Sequence, residues 1–144
     1  SILKFDKPAM SRIEVEWPRD DIKIVCVKKG QDWTLEVPAS KDELEMYKVD
    51  NILWRMQNLR WEDVLSPETI AEATPGLFGF DRPQLEIRAS AGKGDKPDVA
   101  VTVGDTAPDS RIYVKAGDAP TIYKADREFI ERMPREPKAL KKDQ

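Results

Sequence analysis

Arg12-Ile13-Glu14-Val15-Glu16-Trp17 alternates charged and apolar side chains with a period of two. Successive strand residues point to opposite faces, so this run reads as a strand with one face in a core. Pro18 ends it, and Arg19-Asp20-Asp21 reads as a turn. Ile22 to Lys28 is a second strand, apolar at both parities after Ile24, which places it centrally or covers it on both faces. Beyond the hairpin loop Lys29-Gly30-Gln31-Asp32, Trp33, Leu35 and Val37 alternate with Asp32, Thr34 and Glu36 in a third strand that stops at Pro38. Ser40 and Glu43 have the spacing of a capping box, in which each side chain satisfies a free backbone N–H at a helix start. Leu44, Tyr47, Val49, Ile52, Leu53, Met56 and Leu59 then recur every three or four residues, one apolar stripe turned toward a sheet. The expected helix runs from about Lys41 to Arg60.

The second half repeats this grammar. Trp61 to Asp81 reads as a connection in which Ser66-Pro67-Glu68-Thr69 starts a brief helical turn. An irregular loop packing Leu77, Phe78 and Phe80 follows it. Leu85, Ile87 and Ala89 form one strand and Val99, Val101 and Val103 another, with Ala91 to Asp98 as the hairpin between them. Arg111 to Lys115 and Thr121 to Lys124 are two more strands, separated by the turn Ala116-Gly117-Asp118-Ala119-Pro120. Asp126 is placed to cap a short helix carrying Phe129, Ile130 and Met133, and the basic tail Lys138 to Gln144 is expected to fray. The fold class is α+β with a mainly antiparallel sheet, because strands in hairpins followed by a helix leave little room for parallel crossovers. The chain reads as one domain over 1–144 made of two related units, βββα at 11–65 and ββββα at 83–137, joined by a connecting loop at 66–82.

A length of 144 residues suits one domain with a real core. The charge balance, 24 Lys and Arg against 27 Asp and Glu, gives −3 and carries no electrostatic footprint for nucleic acid. The chain contains no histidine, which excludes Ser-His-Asp and Cys-His nucleophilic sites and His-ligated metals. Its single cysteine, Cys26, excludes an internal disulfide and a CxxC redox pair. No apolar run has the length of a membrane span and no signal peptide is visible. Because the chain starts at Ser1, it is expected to be a processed or excised piece of a longer protein, which leaves room for an upstream targeting or anchoring segment.

The candidate chemistry is sparse. Ala91-Gly92-Lys93-Gly94-Asp95-Lys96 looks like a phosphate loop but precedes a strand and lacks the following Lys-Ser/Thr, so it reads as a solvated hairpin tip. The carboxylates Asp20 with Asp21, Asp42 with Glu43 and Glu45, Glu62 with Asp63, and Asp105 with Asp109 lie beside turns and helix starts, where capping and solvation account for them. They lack the spacing of a calcium loop, and nothing marks two of them as a hydrolase pair. No metal ligand set and no cofactor motif is present. Cys26 sits mid-strand as a small buried hydrophobe. Trp17 and Trp33 take inward strand positions, whereas Trp54 and Trp61 fall off the apolar stripe or at its edge. Core flank and partner contact are both open for Trp54 and Trp61, and Phe78 in the loop is a third contact candidate.

Trp33-Thr34-Leu35-Glu36-Val37-Pro38, Leu59-Arg60-Trp61, Leu77-Phe78-Gly79-Phe80-Asp81-Arg82-Pro83 before a strand, and Val103-Gly104-Asp105-Thr106-Ala107-Pro108 form a pattern. With Ile112-Tyr113-Val114 and the ending Phe129, Pro134 and Leu140, it resembles the bacterial domain of unknown function numbered forty-three-forty, over about residues 11–142. Phe80 stands where members of that family often carry leucine. The resemblance implies a membrane-anchored envelope protein with this domain outside the cytoplasm, in some cases beside gliding-type ABC transporter auxiliary proteins. It implies no catalytic residues, because none is established for the family. In these motifs Gly79 to Pro83 is read as a turn that seats Phe80, and Gly104 as a position needing an unusual backbone angle.

The expectation is a non-catalytic, extracytoplasmic interaction domain with a protein partner in the envelope, possessing neither cofactor nor nucleic-acid partner and reaching the membrane only through an anchor. A sheet face or edge, or the loop Trp61 to Asp81, would meet the partner. The alternatives are a carboxylate- and Trp-based binder or hydrolase of glycans or small ligands, and a cytoplasmic location.

Overall fold

A computed structural model describes residues 1–92 and 96–143. The strands are β1 (Arg12–Trp17), β2 (Ile22–Lys29), β3 (Asp32–Val37), β4 (Trp61–Val64), β5 (Leu85–Ser90), β6 (Val99–Thr106), β7 (Ile112–Ala116) and β8 (Tyr123–Ala125). The helices are α1 (Met46–Gln57), α2 (Pro67–Glu72) and α3 (Glu128–Glu131). All eight strands join one antiparallel sheet in the order β3-β2-β1-β5-β6-β7-β8-β4. The two expected units therefore share one sheet, joined where Val15 of β1 faces Ile87 of β5.

The alternation read in the sequence sorts the sheet into two faces. One face carries Ile13, Val15 and Trp17 beside Ile24 and Cys26, then Leu85, Ile87, Val101, Val103, Ile112 and Val114. It packs against Val49, Ile52, Leu53 and Met56 of α1, and against Phe129, Met133 and Leu140. The other face carries a charged ladder. Arg88 binds Glu14 (3.0 Å), Glu16 (2.9 Å) and Glu86 (3.1 Å), and Arg12 binds Glu36 (2.8 Å). Beneath this ladder Val25 is fully buried, so the both-parity apolar pattern of β2 reflects cover from both sides.

Trp61–Val64, expected within the connection, is instead the edge strand β4, hydrogen-bonded to β8. The brief helical turn is α2, capped by the Ser66 hydroxyl, which accepts the Thr69 N–H at 3.1 Å. The Ser40–Glu43 capping box does not form. The helix starts later, at Met46, and Ser40 Oγ accepts the Asp42 N–H at 3.1 Å in a local turn. The reason lies at the far end of the chain. Leu44 forms a bridge with Lys141, the Glu45 N–H donates to the Leu140 carbonyl (2.9 Å), and the Lys142 N–H donates to the Glu43 carbonyl (3.0 Å). Backbone held extended by these bonds cannot also be helical. The same contacts overturn the expectation of a frayed tail: Pro137–Leu140 is a 3-10 turn and Leu140 is 2% exposed. Gln144 lies outside the described residues.

The loop before β5 folds over the ladder face. The Asp105 N–H donates to the Phe78 carbonyl at 2.7 Å, Phe78 meets Tyr113 edge-on at 4.9 Å, and Lys115 stands 4.8 Å above the Phe80 ring. Gly79 has a positive φ of 78°. Gly104 does not adopt a positive φ, so its expected role changes. A Cβ at residue 104 would overlap the Phe78 carbonyl oxygen, and glycine is needed there for close approach of two backbones. The hairpin between β5 and β6 is present, but its tip at Lys93, Gly94 and Asp95 lies outside the described residues.

Candidate functional site

Sheet order puts β4 at an edge with β8 as its neighbour, and all four of its residues are exposed. Register places Trp61 opposite Ala125 and Val64 opposite Tyr123, with an irregularity between Trp61 and Asp63. Trp61 therefore shares a face with Tyr123, and the two rings lie 5.5 Å apart, tilted by 33°. Trp54 belongs to the last turns of α1, one residue past the buried Leu53, which rotates it out of the core. Trp54 is 49% exposed and Trp61 47%, while Trp17 and Trp33 are buried as expected.

A groove of about 280 Å³ runs between the end of α1, the start of β4 and α3. Trp54, Leu59 and Phe129 supply its apolar part, and Arg55, Arg60, Glu62 and Glu128 its charged rim. The Arg55 guanidinium lies 6.0 Å from the Trp54 ring. Arg60 and Glu62, the chain neighbours of Trp61, line the groove with Trp54, whereas Trp61 itself stacks on Tyr123 and is not part of the lining. Phe78 does not join them. It packs on Tyr113, which pairs with Lys124 on the opposite face of the sheet from Tyr123 and Trp61.

The edge itself is guarded against strand addition. It is four residues long, carries Glu62 and Asp63, and its Val64 N–H is taken by Asp63 Oδ1 at 2.9 Å. Arg111 lies 3.9 Å from both Glu62 and Asp63, and 2.8 Å from Asp109. Hydrogen bonds from Arg111 and Lys124 hold the Asp109 carboxyl well below the usual carboxylate range. Asp42 also titrates low, through its hydrogen bond from Lys141. For Glu14, burial pulls upward, but the Arg88 hydrogen bond and the charges of Arg88, Arg12 and Lys23 outweigh it and leave the carboxyl lowered. Each of these shifts runs opposite to that of a general acid, whose pKa is raised. Burial pushes the Cys26 thiol up to about 12. Among the described residues no group of His, Cys, Asp and Glu is arranged to hold a metal ion.

Sequence reading missed Tyr123 under Trp61 and Arg55 beside Trp54. The available signal was the unpaired last strand, Thr121 to Lys124, which needed a neighbour that Trp61-Glu62-Asp63-Val64 could supply.

No curated protein and no solved structure matches this chain. The family model described as "Domain of unknown function (DUF4340)" matches residues 72–144. That stretch takes in the turn that seats Phe80, the whole of β5 to β8, and the tail that closes on residues 43–45. On that match, the chain belongs to the DUF4340 family of domains of unknown function.

Proposed function

We propose that this is a non-catalytic interaction domain of a bacterial envelope protein, acting outside the cytoplasm and, in the gliding-type setting that the resemblance implies, as an ABC-transporter accessory. The observation that carries the interaction reading is the apolar groove lined by the half-exposed Trp54 and ringed by charged side chains, with Trp61 exposed on the neighbouring edge strand. Interface hot spots have this anatomy: a large aromatic contributes area at low entropic cost while a polar rim excludes water. The guarded β4 edge favours docking through side chains over pairing of backbones. The partner is a protein that inserts an apolar side chain between Trp54, Leu59 and Phe129.

Photo-crosslinking in native envelope membranes tests this reading. A crosslinking amino acid at Trp61 is expected to give one discrete partner adduct that Trp54→Ser abolishes. The same group at Thr102, on the ladder face, is expected to give none. No adduct from residue 61, or an unchanged adduct in Trp54→Ser, sinks the reading and turns attention to glycans and small ligands that stack on tryptophan.

A further inference from the structure

A second cavity, of about 440 Å³, opens between α1 and the segment after α3. Its floor includes the buried side chains Ile52 and Met133. Its walls carry Lys48 and Arg55 from α1 and Arg132 and Arg135 from the facing segment, against one lining carboxylate among the described residues, Glu136. In a chain of net charge −3, this concentrates cations around one hollow.

These cations are ordered but not used up. The Arg135 guanidinium lies 4.3 Å from the Trp17 ring and donates to Asp20 at 2.6 Å. Lys48 Nζ donates to the Lys141 carbonyl at 3.1 Å and to Asp143 at 3.3 Å. Arg132 has an exposed pair with Glu128 at 3.4 Å, and Arg55 stands beside the Trp54 ring. Asp20, Asp143 and Glu128 lie outside the cavity lining and are themselves exposed, so their ion pairs are weak and an incoming anion can replace them. One guanidinium fork satisfies a carboxylate. Three forks and an ammonium around one hollow suit a multivalent anion with more oxygens, and arginine matches phosphate oxygens in pairs.

We propose that this cavity is a phosphate-binding site, with the phosphate held by Arg55, Arg132, Arg135 and Lys48 and the ligand's carbon portion lying on Ile52 and Met133. The phosphate belongs either to a small soluble organic phosphate or to a phospholipid headgroup. The cavity volume falls in the range of about 300–1,000 Å³ usual for small-ligand sites.

The test is a titration of the whole chain with inorganic pyrophosphate, followed by backbone amide NMR, with sodium acetate at equal ionic strength as reference. Saturable shifts confined to residues around Lys48, Arg55 and Arg132 to Arg135 are expected, and acetate is expected to give none. Arg55→Gln with Arg132→Gln is expected to weaken the affinity by about tenfold or more, and Lys29→Gln at the end of β2 to leave it unchanged. An unchanged amide spectrum elsewhere checks that the double variant is folded, and Arg132→Gln alone replaces it otherwise. Co-sedimentation with phosphatidylglycerol or phosphatidylcholine vesicles separates the two sources. Retention on phosphatidylglycerol that the variant loses identifies a headgroup, and pyrophosphate binding without retention identifies a soluble phosphate. Shifts spread over all surface lysines, shifts reproduced by acetate, or binding and retention unaffected by the variant overturn the proposal.

Discussion

At the scale of single residues, Gly104 is tightly constrained. Its backbone lies against the Phe78 carbonyl, so a methyl group there must push the loop off the sheet. Gly104→Ala is expected to cost about 1–3 kcal/mol, the usual range for overpacking, read by urea denaturation. Trp54→Ser removes a half-exposed ring and is expected to stay within about 0.5 kcal/mol of the parent. That contrast separates a stability residue from a contact residue before any partner is in hand. Cys26 gives a third expectation. Its thiol is buried and pushed up to about 12, so at neutral pH it is protonated and shielded. Labelling by iodoacetamide is expected to proceed at the rate of unfolding in native buffer and to become fast in denaturant. Rapid labelling of the folded chain would contradict its place under the sheet. The inertness of Cys26 and the inward turn of Trp17 and Trp33 were legible in the sequence, because strand parity decides both. The role of Gly104 was not, since close approach between residues 78 and 104 is a tertiary fact with no local mark.

At the scale of elements, the strands of the hairpins were readable and the edges were not. β1 and β5 alternate cleanly because one face meets the core and the other meets solvent or salt bridges, whereas β3 loses the alternation at the exposed Val37 and β6 at Gly104. β4 leaves no such trace, because all four of its residues are exposed and pattern follows burial. Trp61 and the groove-lining Glu62 lie on that element, so Trp54 and Trp61 could be singled out from the sequence, but neither the groove nor the edge strand could be placed. The ladder on β1 and β5 makes a prediction of its own. Glu14 has a folded pKa below its ordinary value, so it stabilises the fold above the unfolded pKa of about 4.3 and that contribution is lost as pH falls through the folded pKa. Arg88→Met removes the hydrogen bond responsible and leaves Glu14, Glu16 and Glu86 facing one another. The variant is expected to be less stable than the parent at pH 7, with the gap closing between about pH 5 and pH 3 as the carboxylates protonate. Thermal melts across that range check it, and a gap that stays constant with pH would show that the ladder acts through packing alone.

At the scale of the whole molecule, the tail is a clasp. Leu140 sits in the core, Lys141 bridges to Leu44, and Lys141 and Lys142 pair with Asp42 and Glu43 at 2.7 and 3.2 Å. Leu140→Ala is expected to cost about 2–5 kcal/mol, as other buried leucines do, whereas Lys142→Ala, in an exposed pair, is expected to cost less than about 1 kcal/mol, both read by denaturant titration. The opposed charges at 42–43 and 141–142 were visible in the sequence, but nothing local says that residues a hundred positions apart meet. The sheet order has a consequence for how the chain can be made or cut. Both outer strands, β3 and β4, come from the first half, and the four strands β5 to β8 lie between β1 and β4. The portion that the family model matches is thus the filling of a sandwich whose two slices are made earlier. On a ribosome, β4 emerges long before β8 and must wait unpaired until that neighbouring strand arrives. Severed at residue 72, the later portion would expose a raw strand at each flank, and the earlier portion would hold a strand with nowhere to dock.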